Sequence, residues 1–359
     1  MKQLLISLLI LLGLTACGPD PMSRASNEPW STKQRSVTTM EETARPQVPM
    51  VVNGDTVRQR ALSVLHQAIR SPNARYRANA IESLRFAPID VLQSAIQRGL
   101  ADDNRGVRFV AAMMIGEVKL CELSLLLEPL LLDESQSVQA AAMCSMYQCG
   151  SAIDVTPLAR MLQSENPEHR GNAALVLGRM GNLSAIQMIR DAARQSPSSI
   201  TPIRRRLINL QMAEALVLLG ERNELEVIRA ALFSSAKESE VTALACVMAG
   251  RLQDIEITST LEGIVYTPER YADEIRLIAA TALAEIDPRK MPLNAVLVFT
   301  ANDSDHLRSQ CATALGMQGN QLSLGPLAIL LKDSAPMVQI AAAGAVLRID
   351  KSGSMAIVD

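Results

Sequence analysis

From about residue 55 onward the apolar positions fall at helical spacing, in paired stretches separated by short polar turns. Leu127, Leu130 and Leu131 stand at i, i+3 and i+4, and Leu327, Leu330 and Leu331 repeat the stripe near the end of the chain. This spacing predicts a first helix with one apolar face. Pro157 and Pro326 occupy matching places that suit a first turn, where the missing N–H is not needed. Polar turns follow: Asp102-Asp103-Asn104, Asp133-Glu134-Ser135, Ser164-Glu165-Asn166, Asp303-Ser304-Asp305 and Asp333-Ser334. Their side-chain oxygens can accept from the free N–H groups that open a second helix.

The second helix carries a pattern that can be aligned on one anchor position. The text V-R-F-V-A-A-M-M-I-G around Arg108 matches H-R-G-N-A-A-L-V-L-G around Arg170, I-R-L-I-A-A-T-A-L-A around Arg276 and L-R-S-Q-C-A-T-A-L-G around Arg308. Weaker copies are anchored at Arg77, Gln139, Met212, Thr242 and Gln339. The separations along the nine anchors are 31, 31, 31, 42, 30, 34, 32 and 31, the near-constant period of a repeat array. Ala pairs such as Ala111-Ala112, Ala173-Ala174, Ala279-Ala280 and Ala342-Ala343 let helices approach closely. The glycines eight residues past the anchor, Gly116, Gly178 and Gly316, are expected to end their helices in the left-handed conformation.

These features resemble the HEAT-like repeat family, in the short form also seen in phycobilin lyases, over residues 55 to 350. The resemblance implies an all-α, right-handed α-solenoid of about nine helix pairs with an extended concave surface. It also implies a ladder in which turn aspartates pair with anchor arginines, here Arg77, Arg108, Arg170, Arg276 and Arg308. Composition agrees with the fold. Ala and Leu dominate, aromatics are 3% and apolar residues 48% of 359. A net charge of −2 argues against nucleic acid as a partner.

The chain opens with Lys2, an apolar run from Leu4 to Leu14, and Leu14-Thr15-Ala16-Cys17. The run is too short to span a bilayer and suits a signal core. The box resembles that of bacterial lipoproteins. The resemblance implies a signal peptide over 1–16, acylation of Cys17 with three chains including palmitate, and, from Gly18, retention at the outer membrane facing the periplasm. Residues 17–52 hold five prolines and no apolar period, so a flexible tether is expected there, with the array over 53–359.

Catalytic and metal-binding patterns are not found. His66, His169 and His306 are followed by Gln67, Arg170 and Leu307, so the His-Glu pairs of the deoxyhypusine hydroxylases, metal-binding relatives, do not occur. The reading is therefore no catalytic residue, no metal and no cofactor. Cys246 and Cys311 fall on small Ala slots and read as packing. Cys121, Cys144 and Cys149 cluster, and the sequence leaves open whether a pair closes a disulfide. Met113, Met114, Met143, Met146, Met180 and Met188 read as core filling, although methionine also suits adaptable binding faces.

The interval after Arg170 is the long one. Thr201-Pro202 reads as an N-cap and first turn of a protruding helix, followed by Arg204, Arg205 and Arg206. Three positive charges there oppose the helix dipole, which marks them as a candidate site for an anionic partner. The functional expectation is a membrane-anchored periplasmic scaffold or adaptor for protein partners of the cell envelope, not an enzyme. The alternative is an enzyme or enzyme-assembly factor with its site in the solenoid groove.

Overall fold

The computed structural model describes residues 54–195 and 200–355. The expected signal peptide, Cys17, Gly18 and the expected tether lie outside the described residues. Among the described residues every regular element is helical.

Nine pairs follow one another, each an outer element leading into an inner helix. They are α1 (Gly54–Ala68) with α2 (Ala74–Ser83), and α3 (Ile89–Leu100) with α4 (Arg105–Val118). A run of 3-10 turns (Cys121–Leu132) then precedes α5 (Gln136–Gln148). Next come α6 (Thr156–Leu162) with α7 (Pro167–Met180), α8 (Ala185–Arg194) with α9 (Pro202–Leu218), and α10 (Leu225–Ala231) with α11 (Ser239–Arg251). The last are α12 (Thr258–Val265) with α13 (Asp273–Ile286), α14 (Leu293–Leu297) with α15 (Asp305–Gln318), and α16 (Leu324–Leu330) with α17 (Pro336–Met355). The chain is an α-solenoid.

Outer and inner helices bury differently, as their sequences require. Outer α8 buries only the stripe Ala185, Ile189 and Ala192. Inner α4 is buried on every side from Gly106 to Gly116, because neighbouring inner helices cover it on both flanks. The Ala pairs and Met113, Met114, Cys144, Cys246 and Cys311 lie in this core.

The expected caps form. The side chains of Asn73, Asn104, Asn166 and Ser304 accept from the first turns of α2, α4, α7 and α15. The ladder forms at three anchors. Arg77 grips Asp102 at 2.6 and 2.7 Å, Arg108 grips Asp133 at 2.8 and 3.0 Å, and Arg308 grips Asp333 at 2.7 and 2.9 Å. It does not form at Arg170, which donates to the carbonyls of Ala192 and Gln195 at 2.7 and 2.6 Å, nor at Arg276, which pairs with Asp273. Arg229, on an outer helix, makes an equivalent grip on Asp254.

Two expectations are corrected. The glycines eight past the anchor do not end helices. Gly116, Gly178 and Gly316 stand where a Cβ would come within 3.0 Å of the next inner helix, at Ser145, Ala215 and Ala345 respectively. They are points of close approach. The left-handed residues come three later: Lys119, Gly150, Gly181, Gln253 and Gly319. The same two landmarks correct the fifth anchor. Ala215 meets Gly178 and Gly220 is left-handed, which places the structural anchor at Asn209, three residues before Met212.

The array also closes on itself. Each inner helix packs on the next, and α17 packs on α1 and α2. Arg58 pairs with Asp350 at 2.9 Å and Arg348 lies over the Phe86 ring, 5.4 Å from its centroid. The nine inner helices therefore form a ring, where the sequence led us to expect an extended concave surface.

Candidate functional site

Ring closure brings one repeat position together nine times. The residues nine past the structural anchors are Phe86, Glu117, Gln148, Arg179, Leu218, Arg251, Glu285, Met317 and Arg348. All nine line one of two cavities. The smaller, about 80 Å³, holds Phe86, Met317 and Arg348 at the seam between α2, α15 and α17. The larger, about 550 Å³, is walled by the other six, with Glu214, Tyr147 and Lys119. That volume is in the range of small-molecule sites. Its rim residues Lys119 and Gly181 are exposed, so it opens to solvent.

Charge organises the walls. Glu117 is held between Arg85 and Arg179. Burial alone would raise the Glu117 carboxyl, but Arg179 and Arg85 outweigh it and hold it below the ordinary carboxylate range. Arg251 pairs with Glu214 at 2.9 Å, and here burial wins and raises the Glu214 carboxyl. Burial pushes Glu285 up to about 7 against the charges of Arg251 and Arg348. The field of Arg251 reaches Glu117 across the ring, so these groups act as one cluster.

Several polar atoms of this cluster have no hydrogen-bond partner. They are Nε and Nη2 of Arg179, Nε of Arg251, Oε1 of Gln148, and Nε and Nη1 of Arg85. The Arg85, Arg179 and Arg251 side chains are only 3%, 6% and 8% exposed. Orphaned guanidinium donors at that depth are uncommon in folded chains.

The structure does not bring the sequence-selected arginines here. Thr201 caps α9 as expected, accepting from the Arg204 N–H at 3.4 Å. Arg204, Arg205 and Arg206 stand at that N-terminus, while Glu214 and Leu218 line the cavity at the far end of the same helix. Arg205 is exposed. Arg206 is engaged with the next repeat, reaching Glu238 at 2.5 Å and Ser234 Oγ at 2.9 Å. Residues 196–199 of the inserted stretch lie outside the described residues. Of the histidines, His66 is exposed, His169 sits 3.4 Å from Ser164 at a turn, and His306 lies 3.0 Å from Glu274. No group of three His, Cys, Asp or Glu among the described residues is arranged to hold a metal ion. Cys121 and Cys149 form a disulfide, so Cys144 is the free member of that cluster.

The central charges were absent from the sequence reading because each looks like an ordinary surface charge within its own repeat. Aligning the repeats one column beyond the glycine would have shown Glu, Gln, Arg, Arg, Glu and Arg recurring at one position.

A family model of HEAT repeats matches residues 123–206. Over that stretch the repeats are similar to HEAT repeats. No curated protein matches the chain.

Proposed function

We propose that the chain is an exported lipoprotein whose HEAT-like ring serves as an interaction scaffold for other proteins of the cell envelope. Repeat arrays of this kind typically bind protein partners across several units. With the inner helices turned onto one another, docking falls to the outer layer and the rims. The observation that carries the reading is an apolar strip on the 3-10 run. Leu125 and Leu132 are 72% and 89% exposed, and Leu126 stands beside them. Exposed apolar groups grouped on one element mark contact surfaces better than scattered ones. The Cys121–Cys149 disulfide pins the start of this run to the end of α5. A structural disulfide suits an oxidising compartment, which supports export alongside the Lys2, Leu4–Leu14 and Cys17 pattern.

Two experiments test this. Membrane fractions from cells making the wild type or Cys17→Ser should show the wild type lipid-modified and membrane-bound, with the mutant left as unprocessed precursor. Normal processing of the mutant would remove the anchor from the proposal. Crosslinking of full-length protein in detergent-solubilised membranes should capture a partner that Leu125→Lys/Leu132→Lys fails to capture. Equal capture by that variant would move the docking surface elsewhere. Arg204 and Arg205 are the second place for a partner, an anionic one, at the exposed start of α9.

The alternative, an enzyme or enzyme-assembly factor with a groove site, draws on one observation. Glu214 and Glu285, both raised by burial, share a solvent-accessible cavity with Arg179 and Arg251. Carboxyls poised in this way recur at functional sites.

A further inference from the structure

The outer layer carries two patches of opposite charge, each with exposed apolar groups. No Lys or Arg occurs between Lys119 and Arg160. Within that stretch the 3-10 run exposes Glu122 and Glu128 beside Leu125, Leu126 and Leu132, and Glu134 follows in the turn. Gln93 donates to Glu122 at 2.8 Å, which leaves its charge in place. Arg108 of the preceding pair reaches Glu134 at 3.2 Å, yet the Glu134 side chain stays 84% exposed. Two pairs further on the sign reverses. No Asp or Glu occurs between Asp191 and Glu214. There Arg194 closes α8, and Ile203, Arg204 and Arg205 open α9. Arg194 pairs with Asp191 and Arg206 with Glu238, whereas Arg204 and Arg205 have no ion pair among the described residues. Ile203 stands exposed beside them.

Both patches reach the same edge of the ring. In each pair the outer element runs toward the turn and the inner helix runs back from it. Leu132 and Glu134, at the end of an outer run, and Ile203 to Arg205, at the start of an inner helix, therefore share the turn edge. A whole pair, α6 with α7, lies between them, so the two patches of one copy do not meet. A second copy set alongside at the same height does bring them together: Leu132 against Ile203, and Glu128 and Glu134 against Arg204 and Arg205. Charge complementarity of this kind steers association and fixes its register. The chain enters α1 at the opposite edge, at Gly54, so copies anchored through Cys17 present the turn edge alike. We infer that copies of this chain associate side by side, the acidic strip of one seated against the basic start of α9 on the next. This rests on the docking surfaces proposed above and names their occupant. Because the contact joins unlike patches, each copy keeps one of each free, and association continues until it closes.

Thiol crosslinking in membranes tests this with two full-length variants, Leu132→Cys and Ile203→Cys, made separately or together in the same cells. Both positions are exposed, and the free thiols Cys144, Cys246 and Cys311 are buried away from a short bismaleimide. The two variants together should give a crosslinked dimer, and either alone at least about tenfold less, since unlike positions face each other. Adding Glu128→Lys/Glu134→Lys to the first copy, or Arg204→Glu/Arg205→Glu to the second, should lower the yield at least about tenfold. Adding both should restore it, because the reversed charges match again. Circular dichroism checks each variant, and if a charge reversal does not fold, the comparison of single and combined cysteines still decides. As much dimer from Leu132→Cys alone would overturn the inference in favour of a symmetric contact. A yield unmoved by either reversal would overturn it too. So would no dimer from the pair; if Leu125→Lys/Leu132→Lys still loses a captured protein in that case, the docking surface stands and its occupant is that other protein. Fractionation of Cys17→Ser reports on the anchor separately.

Discussion

Gly344 on the last inner helix lies against Ser83 on the first, so closely that a Cβ there would meet Ser83 Oγ at 2.8 Å and its Cβ at 3.0 Å. This contact belongs to the seam that turns a row of repeats into a ring. Gly344→Val should therefore destabilise by about 1–3 kcal/mol through overpacking. It should also open the seam, which small-angle scattering would register as a larger radius of gyration. A variant that melts lower but keeps its radius would mean that the seam yields without parting.

The Arg308–Asp333 grip gives a second prediction. The hydrogen bond and charge of Arg308 hold the Asp333 carboxyl below its ordinary range, and burial opposes this only in part. A lowered carboxyl stabilises the fold above the unfolded value of 3.8, and that stabilisation is lost as pH falls through the folded value. Asp333→Asn should cost about 1–3 kcal/mol at neutral pH, since Arg308 is left mostly buried without its partner. The difference from wild type should shrink in urea melts taken below about pH 4.

Glu285 behaves in the opposite sense. With its carboxyl raised from 4.5 to about 7, the fold is favoured below the unfolded value and loses that advantage as pH rises through the folded one. The groups that set it are Arg251 and Arg348, which oppose the rise, and Glu214, which adds to it. Glu285 is only half-buried at the cavity wall, so solvent reduces the effect. Glu285→Gln should be stabilising relative to wild type at pH 8 by about 1–3 kcal/mol and near neutral at pH 4. Parallel melts at those two pH values check it.

The disulfide supplies a fourth. Cys121 and Cys149 close a loop with a sequence separation of 28. Reduction, or Cys121→Ser/Cys149→Ser, should lower stability by about 2–4 kcal/mol. Dithiothreitol should lower the melting temperature of the wild type and leave the double variant unmoved.

The start of α9 supplies the last. Arg206→Gln should lower the melting temperature, because Arg206 bridges to Glu238 and Ser234. Arg204→Gln/Arg205→Gln should hold or raise it, since those charges oppose the helix dipole. Thermal melts of the two variants side by side distinguish the arginine that bridges to the next repeat from the two that only oppose the dipole.

Much of the fold was legible because each repeat states it locally. The turn residues, the Ala pairs and the anchor arginines are short-range signals. The ladder at Arg77, Arg108 and Arg308 was implied by the resemblance that those signals carry. What failed had separate causes. Arg170 and Met212 flank the inserted stretch, where the period breaks and local pattern no longer fixes register. Gly116 and its equivalents looked like caps because a cap and a close approach both call for glycine, and only the neighbouring helix tells them apart. Ring closure and the central cavity depend on the small turn between pairs, summed nine times. No single repeat encodes that sum, so neither the seam at Gly344 nor the convergence of Glu117, Arg179 and Arg251 was readable from one unit.

A linear stack unravels from its termini, because each terminal unit is held on one side only. In this ring α1 and α17 hold one another, so every unit is held on two sides. Losing any pair means breaking two interfaces at once, so the ring has no unit from which fraying can start. The same closure forbids gradual growth: a tenth pair, or the loss of one, would misalign the seam and leave Arg58 and Asp350 without each other.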